Sequence, residues 1–315
     1  MGQRIGIDVG GTNVKIALVS DKGKIIYSNS IPTRTEMGYE YTVNSMKEAI
    51  RDLLKETKLA PKDIEGMGFG FPGQIDCQKG IVRLAPNIPG WVNVPIQEIM
   101  EKEFSISTRV DNDVRTAALG ELNYGAGIGC QNLVCITVGT GIGSGIVING
   151  KLVRGASNAA GELGHIKLSM NDGPLCGCGD RGCLEAYASG PSIVAMAEEY
   201  IKGGKSTKYR ELANPDITPY IVAVAAKEGD PVAIEIFKII GEYIGIGLTS
   251  VVNLLNPEKI IIGGGVAEAG DILLNPIKDT INRRAMTIQK NAVEIVPAQL
   301  GNTAGVIGAS LLIKS

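Results

Sequence analysis

The sequence is poor in aromatic residues and nearly without histidine. Only 4% of its 315 residues are aromatic, and there is a single His, His165. A core with so few rings must rest on Ile, Val, Leu and Ala. An excess of charge of one sign is missing too. The chain has 31 basic and 33 acidic residues, interleaved, for a net charge of −2. No basic block offers a footprint for a phosphate backbone, so nucleic acid is not an expected partner. Apolar runs of membrane-spanning length are also lacking. The longest, IGIGLTSVVNLL at 244–255, is too short and too broken. The start of the chain lacks a signal-peptide pattern, because Asp8 interrupts the first apolar run. A cytoplasmic protein with reduced thiols is therefore expected. Paired disulfides are then a poor account of the six cysteines.

Two familiar nucleotide motifs are absent. There is no G-x-x-x-x-G-K-[ST], which excludes a P-loop. The glycine-rich run Val138 to Gly145 does not lie between a strand and a helix, which disfavours a Rossmann dinucleotide site.

Glycine is abundant, at 42 residues, and clusters in turns after apolar runs. RIGIDVGGTNVKIALVSDKGKII, starting at Arg4, predicts three antiparallel strands joined by tight turns. LVCITVGTGIGSGIVINGKLV, starting at Leu133, matches it at an offset of 129 residues. Ile7 meets Ile136, Val9 meets Val138, Gly10 meets Gly139, and Leu18 and Val19 meet Val147 and Ile148. Any two glycine-rich hairpins align to some extent. This register holds without a gap through the turn, which favours an internal duplication. Two similar α/β domains follow, with a boundary at Asn112–Asp113. Helices are expected over 39–57, from Asp113, over PSIVAMAEEYIKGG, over 231–255, over DILLNPIKDTINRRA with an interruption at Pro276, and from 303 to 313. Strands are expected at GMGFGFPG and KIIIGGGV.

Three glycine turns could meet phosphate or nucleoside. Each alone is more often a plain turn. Asp8, Gly10, Gly11, Thr12 and Asn13 form the first, where backbone N–H groups can face a phosphate and Asp8 can hold a magnesium ion through water. Gly139, Thr140 and Gly141 form the second. Gly263, Gly264 and Gly265 form the third, after a buried strand.

Asp113 opens a helix. It reads equally as an N-cap or as a general base. His165, Cys176, Cys178 and Cys183 supply four ligands of types that suit tetrahedral zinc. Gly177, Gly179 and Gly182 would give the loop its bends. The alternative is a set of reduced thiols in a mobile loop. All four positions would be filled by protein, so the metal would be structural, leaving one ring nitrogen of His165 free.

DVGGTN, LAPNIPGW, DNDVRTAALGE, VGTGIGSG, GELGH and CGCGDRGCLE occur here in the order found in the ROK family of sugar kinases, which this chain resembles from Ile5 to about Ala309. The resemblance is nearest to the ATP-dependent glucokinases of that family. It implies a duplicated actin/hexokinase-like (ribonuclease H-like) α/β ATPase fold, with two domains and a cleft between them. The small domain would be 1–112, completed by the C-terminal helix at 302–315. The large domain would be 113–301, with the zinc loop at 165–183. The implied activity is transfer of phosphate from ATP to a hexose, giving glucose 6-phosphate from glucose. Fructose, allose or N-acetylmannosamine are alternative acceptors.

The resemblance moves Asp113 to the role of base. It gathers Gly73, Asn87, Asn112, Asp113, Glu162, His165 and Glu185 into a sugar-binding shell. It also implies a homodimer. A sugar-responsive repressor of the same family is the rival from another class. Such proteins carry a helix-turn-helix before the kinase-like part, and the first strand here begins within five residues of Met1. The sequence departs from the family at Arg115, where a small residue is usual, and gives that arginine no role.

Overall fold

The computed structural model describes residues 2–86, 88–213 and 215–314. It forms two compact units. One comprises Met1–Gln131, Gly145–Gly161 and Gln299–Ser315; the other comprises Asn132–Ser144 and Glu162–Ala298.

In chain order the elements are β1 (Gln3–Val9), β2 (Asn13–Ser20), β3 (Ile25–Pro32), α1 (Tyr39–Thr57), β4 (Ile64–Phe71), β5 (Gln74–Asp76), β6 (Ile81–Leu84), β7 (Val92–Val94), α2 (Ile96–Phe104), β8 (Thr108–Asn112) and α3 (Asp113–Tyr124). Next come β9 (Leu133–Val138), β10 (Ile142–Ile148), β11 (Lys151–Leu152), α4 (Leu184–Ala188), α5 (Gly190–Lys202), α6 (Lys208–Leu212), α7 (Pro219–Lys227) and α8 (Pro231–Leu255). The chain closes with β12 (Lys259–Gly263), α9 (Asp271–Arg284), α10 (Thr287–Ala292), β13 (Glu294–Pro297) and α11 (Ala304–Leu311).

The two five-stranded sheets share one plan. The first has the order β3-β2-β1-β4-β8 and the second β11-β10-β9-β12-β13. In the first, β1 to β3 form the antiparallel meander, with Ile7 opposite Ile16 and Leu18 opposite Tyr27. Strands β4 and β8 then add in parallel. In the second, β12 pairs in parallel with β9 and with β13. The duplication read from the hairpins therefore extends to whole sheets. The register match fails only at the third strand, because β11 is two residues long.

The first unit's core is aliphatic, as the scarcity of rings required. Ile5, Ile7, Ile16 and Leu18 of the meander pack with Met46, Ile50 and Leu53 on one face of α1. Four of the rings form one cluster: Phe71 stacks on Phe69, its ring centroid lies 4.8 Å from that of Trp91, and Tyr39 meets Trp91 edge-on. Helix α11 packs on β1, β4 and α3. Glycine makes that approach possible. A Cβ on Gly6 would strike the Val306 carbonyl, one on Gly68 the Ala309 carbonyl, and one on Gly308 the Thr116 carbonyl. The buried Glu121 fixes the entry to α11, accepting the amides of Leu300 at 2.8 Å, Gln299 at 3.2 Å and Ala126 at 2.8 Å.

Helix α3 belongs to the first unit in this division, whereas the sequence set a boundary at 112/113; its packing on α11 keeps it there. The expected break at Pro276 does not occur, and α9 runs through it. Gly241 of α8 leaves room for the Pro276 ring, where a Cβ would come within 2.8 Å. Among the described residues no helix is long and apolar enough to cross a membrane.

Candidate active site

In the first unit the candidate residues Asp8, Asn112 and Asp113 sit at the ends of β1 and β8. Strand β1 delivers Asp8 to the hairpin turn, where the Gly10 amide donates to the Asn13 carbonyl at 2.9 Å. Gly11, Thr12 and Asn13 are exposed. Thr33, fully buried after β3, braces the turn: its hydroxyl donates to the Gly10 carbonyl at 2.7 Å and its amide to the Thr12 carbonyl at 2.9 Å. Asp8 faces Lys15 across the ladder and Gly305 at the start of α11, where a Cβ would come within 2.6 Å of the carboxylate. Burial raises the Asp8 carboxyl above the usual range, and Lys15 opposes the rise.

Strand β8 ends at Asn112 and α3 begins at Asp113. The N-cap is Asn112. Its Oδ1 accepts from the amides of Val114 at 3.0 Å and Arg115 at 3.2 Å, and its amide group reaches toward the carbonyls of Phe71 and Gly73. Asp113 is the first helical residue and does not serve as the cap. The Asp113 Oδ1 accepts the Val114 amide at 2.9 Å. Burial, and then the Asp8 charge, push the Asp113 carboxyl up to about 6; hydrogen bonds to Val114 and Asn112 oppose them. A carboxyl poised near neutrality is suited to accept a proton from an alcohol. Gly73 has φ +93°, and a Cβ there would strike the Leu84 carbonyl. Asn87 lies outside the described residues.

In the second unit a cavity of about 630 Å³, a size that takes a nucleoside, opens beside the β9–β10 turn. Gly139 and Thr140 form one wall and Gly265 and Val266 another. A Cβ on Gly139 or Gly265 would meet nothing within 4 Å, so the protein's own packing does not require glycine there. Gly141 and Gly264 stand outside this lining. Gly264, at φ +88°, abuts the backbone of Val138, and Gly141 abuts Glu185. The remaining walls were not read from the sequence. They are one side of α5 from Pro191 to Glu198 and the start of α7, with Thr218 and Tyr220. The one signal available was Thr218-Pro219, a capping residue followed by proline. The Thr218 hydroxyl does accept the Ile221 amide at 3.2 Å.

The same unit brings the four expected metal ligands together. The ligand atoms of His165, Cys176, Cys178 and Cys183 all lie within 4.8 Å of one another. Cys178 Sγ and Cys183 Sγ are 3.7 Å apart, as are Cys176 Sγ and His165 Nδ1. A tetrahedron with metal–sulfur bonds of about 2.3 Å has edges of about 3.8 Å, so the donor set fits zinc. Nδ1 is the nitrogen turned to the thiols, which leaves Nε2 free. Gly179 and Gly182 take the left-handed conformation expected of them, and Gly177 does not. The Lys167 ammonium lies 3.0 Å from Cys183 Sγ and 2.7 Å from Asp180. Glu162 is exposed, three residues before His165. Glu185 accepts the Ile142 amide at 2.8 Å with one oxygen.

Duplicated sheets of this order, with glycine hairpins at the ends of both first strands, define an actin/hexokinase-like α/β protein. The sequence profile of the ROK family matches residues 4–315, and the chain belongs to that family. It is 39% identical to a glucokinase of Halalkalibacterium halodurans, over 98% of this chain and 94% of that protein. It is 34% identical to a xylose repressor of Caldicellulosiruptor bescii, over 100% of this chain and 79% of the repressor. Among solved structures it resembles a ROK family glucokinase from Streptomyces griseus in complex with glucose and AMPPNP, with TM-score 0.85, 34% identity and 99% of each chain covered.

Proposed function

We propose that this chain is an ATP-dependent glucokinase that converts glucose to glucose 6-phosphate in the cytoplasm. The observation that carries the reading is the Asn112–Asp113 junction. Asn112 takes over the capping of α3, and Asp113 is left with a carboxyl raised to about 6. The likeness to full-length glucokinases, one with glucose and a nucleotide analogue bound, supplies the acceptor and the donor.

Phosphoryl transfer asks a protein for alignment, charge neutralisation and a base. In this reading Asp113 accepts the proton of the acceptor hydroxyl as the oxygen attacks the γ-phosphorus, whose bond to the β–γ bridging oxygen breaks to release ADP. Asn87, Asn112, Glu162, His165 and Glu185, with the Gly73 backbone, hold the hexose. Buried hydroxyls need paired donors and acceptors, which these side chains supply. The cavity beside Gly139, Thr140 and Gly265 takes the nucleoside. The Gly10–Asn13 turn and Lys15 meet the phosphates. Magnesium arrives with ATP, and the Asp8 carboxylate is the group suited to hold its waters. His165, Cys176, Cys178 and Cys183 would hold a zinc ion. When bound, zinc supplies a rigid brace for the loop and fixes the imidazole by Nδ1, so that Nε2 can donate to a sugar hydroxyl. A homodimer, carried by the family resemblance, completes the proposal.

A coupled assay over glucose, fructose, allose, mannose and N-acetylmannosamine, each with ATP, ADP or polyphosphate, tests it. ATP with glucose should give the highest kcat/KM. A tenfold preference for another sugar would move the assignment to that sugar. The second reading, a sugar-responsive regulator, is favoured by the 34% identity to the xylose repressor. Absence of turnover with every donor, together with retained sugar binding, would support it.

A further inference from the structure

The first unit contains a charged cluster that the proposed reaction leaves unused. Asp111, fully buried on β8, stands two residues before Asp113. Its Oδ1 accepts the Asn112 amide at 2.8 Å and lies 3.0 Å from Arg115 Nε, an ion pair without the angle of a hydrogen bond. Its Oδ2 accepts from Arg154 Nε at 2.8 Å. The Arg115 side chain is only 4% exposed, and the Arg154 side chain 30%. At its other end Arg115 donates from Nη1 to the Asn158 carbonyl at 2.9 Å. The Cys77 thiol in turn donates to Asn158 Oδ1 at 3.2 Å. One carboxylate thus ties together the base-bearing junction, the first turn of α3 and the loop at 154–161.

That loop has few means of its own to hold a shape. It contains no strand or helix, and Gly155, Asn158 and Gly161 all take positive φ. Its internal backbone bonds include Ala160 to Arg154 at 3.0 Å and Asn158 to Gly155 at 3.4 Å. Burying the Asp111–Arg115 pair is costly, and an apolar pair of similar volume would be about as stable. What the ions provide is direction: a planar guanidinium fixes two acceptors at once. The residue that follows the loop is Glu162.

We propose that Arg115 and Arg154 are positioning residues for hexose binding. Through Asp111 they hold loop 154–161 against the base-bearing junction and fix the point from which the chain continues to Glu162. The inference rests on the reading that Glu162 and Asp113 serve the sugar.

The two arginines make different demands, and this gives the test its edge. Arg154 reaches Asp111 through one contact, which a lysine can replace. Arg115 spans Asp111 and the Asn158 carbonyl, which a lysine cannot. Steady-state kinetics on R154M, R154K, R115K and R115M should show the KM for glucose rising about tenfold in R154M, R115K and R115M. It should stay within twofold of wild type in R154K. In all four, kcat and the KM for ATP should stay within about twofold. Should R115M fail to fold, R115K and R154M carry the comparison. Hexose titration of Trp91 fluorescence without nucleotide should follow the same order. Wild-type glucose KM in both R154M and R115K overturns the proposal. So does a parallel loss in kcat and in both KM values, which would mark a general loosening of the fold. If the wild type binds hexose without turning it over, the kinase reading fails and the clamp is judged by the fluorescence titrations alone. If the wild type neither binds nor phosphorylates any hexose, both fall.

Discussion

The charge on Asp8 helps to set the proton affinity of Asp113: burial is the larger cause and Asp8 the second, and together they lift the Asp113 carboxyl to about 6. A base must be unprotonated to act, so the acid limb of glucose kcat/KM should fall near pH 6, about two units above an ordinary aspartate. Replacing Asp8 with Asn removes the like charge. The limb measured on the residual activity of D8N should move to lower pH, yet stay above 4, because burial remains. A limb that stays in place in D8N would detach Asp8 from the base.

Asp113→Ala removes the proposed base without removing a cap, since Asn112 holds the α3 amides. Turnover should fall by roughly 10²–10⁴-fold, the usual worth of a general base. Sugar affinity, read from Trp91 fluorescence, should change little. Stability should move the other way. A carboxyl with a raised folded pKa stabilises the fold while protonated, and that contribution is lost as pH climbs from about 4 through about 6. At pH 8 the charged Asp113 is a burden, so D113N should melt at a higher temperature than wild type. At pH 4 the two should converge. Wild-type turnover in D113A would dismiss Asp113 as base, and equal melting at pH 8 would dismiss the raised pKa.

Two glycines separate packing from ligand binding. Gly68 of β4 lies against the Ala309 carbonyl of α11, with no room for a Cβ. Gly68→Ala should cost about 1–3 kcal/mol or more, by forcing α11 off the sheet. Gly139 has nothing within 4 Å of where its Cβ would stand. Gly139→Ala should leave the melting temperature unchanged while raising the KM for ATP tenfold, because the added methyl enters the space proposed for nucleotide. A lowered melting temperature with unchanged ATP affinity would remove this turn from the nucleotide site.

These contrasts also mark where sequence reading succeeds and fails. Helix α1 was legible to the residue and α8 in its start and approximate end. Tyr39–Thr57 carries its apolar stripe at helical spacing, and Pro231–Leu255 starts on proline and ends at Asn256 in the left-handed conformation. The meander and its copy were legible because apolar alternation and glycine turns recur in register. The cap of α3 was not, since Asn112 and Asp113 are adjacent and both are good capping residues; only the backbone decides which one turns inward. The remaining walls of the cavity beside Gly139 escaped because α5, α7 and the Gly265 turn are far apart in sequence. Strands β5, β6 and β7, of three to four residues, are too short to show a period. Arg115 was visible as an oddity, but its partners Asp111 and Asn158 meet it only in the fold.

The proposed metal loop can be tested without any assay of activity. Three thiolates and a neutral imidazole around a divalent ion carry a net charge of −1, and Lys167 stands 3.0 Å from one of the sulfurs. Its ammonium should stabilise the thiolate set, as outer partners of metal ligands do. The purified protein should contain one zinc per chain by elemental analysis, and C178S should contain none. K167M should bind the same amount but release it faster to a chromogenic chelator, by about tenfold, within the range such outer partners command. Stripping the metal should lower the melting temperature, because it removes the cross-link among His165, Cys176, Cys178 and Cys183 and leaves the loop to its backbone bonds, among them the Leu168 amide to the Gly182 carbonyl and the Cys176 amide to the Asp180 carbonyl, both at 2.8 Å. Full-length protein prepared with zinc in the medium, yet free of it and unchanged in melting by added zinc, would return the three cysteines to ordinary thiols. Equal release rates from K167M and wild type would leave the site standing and remove Lys167 from it.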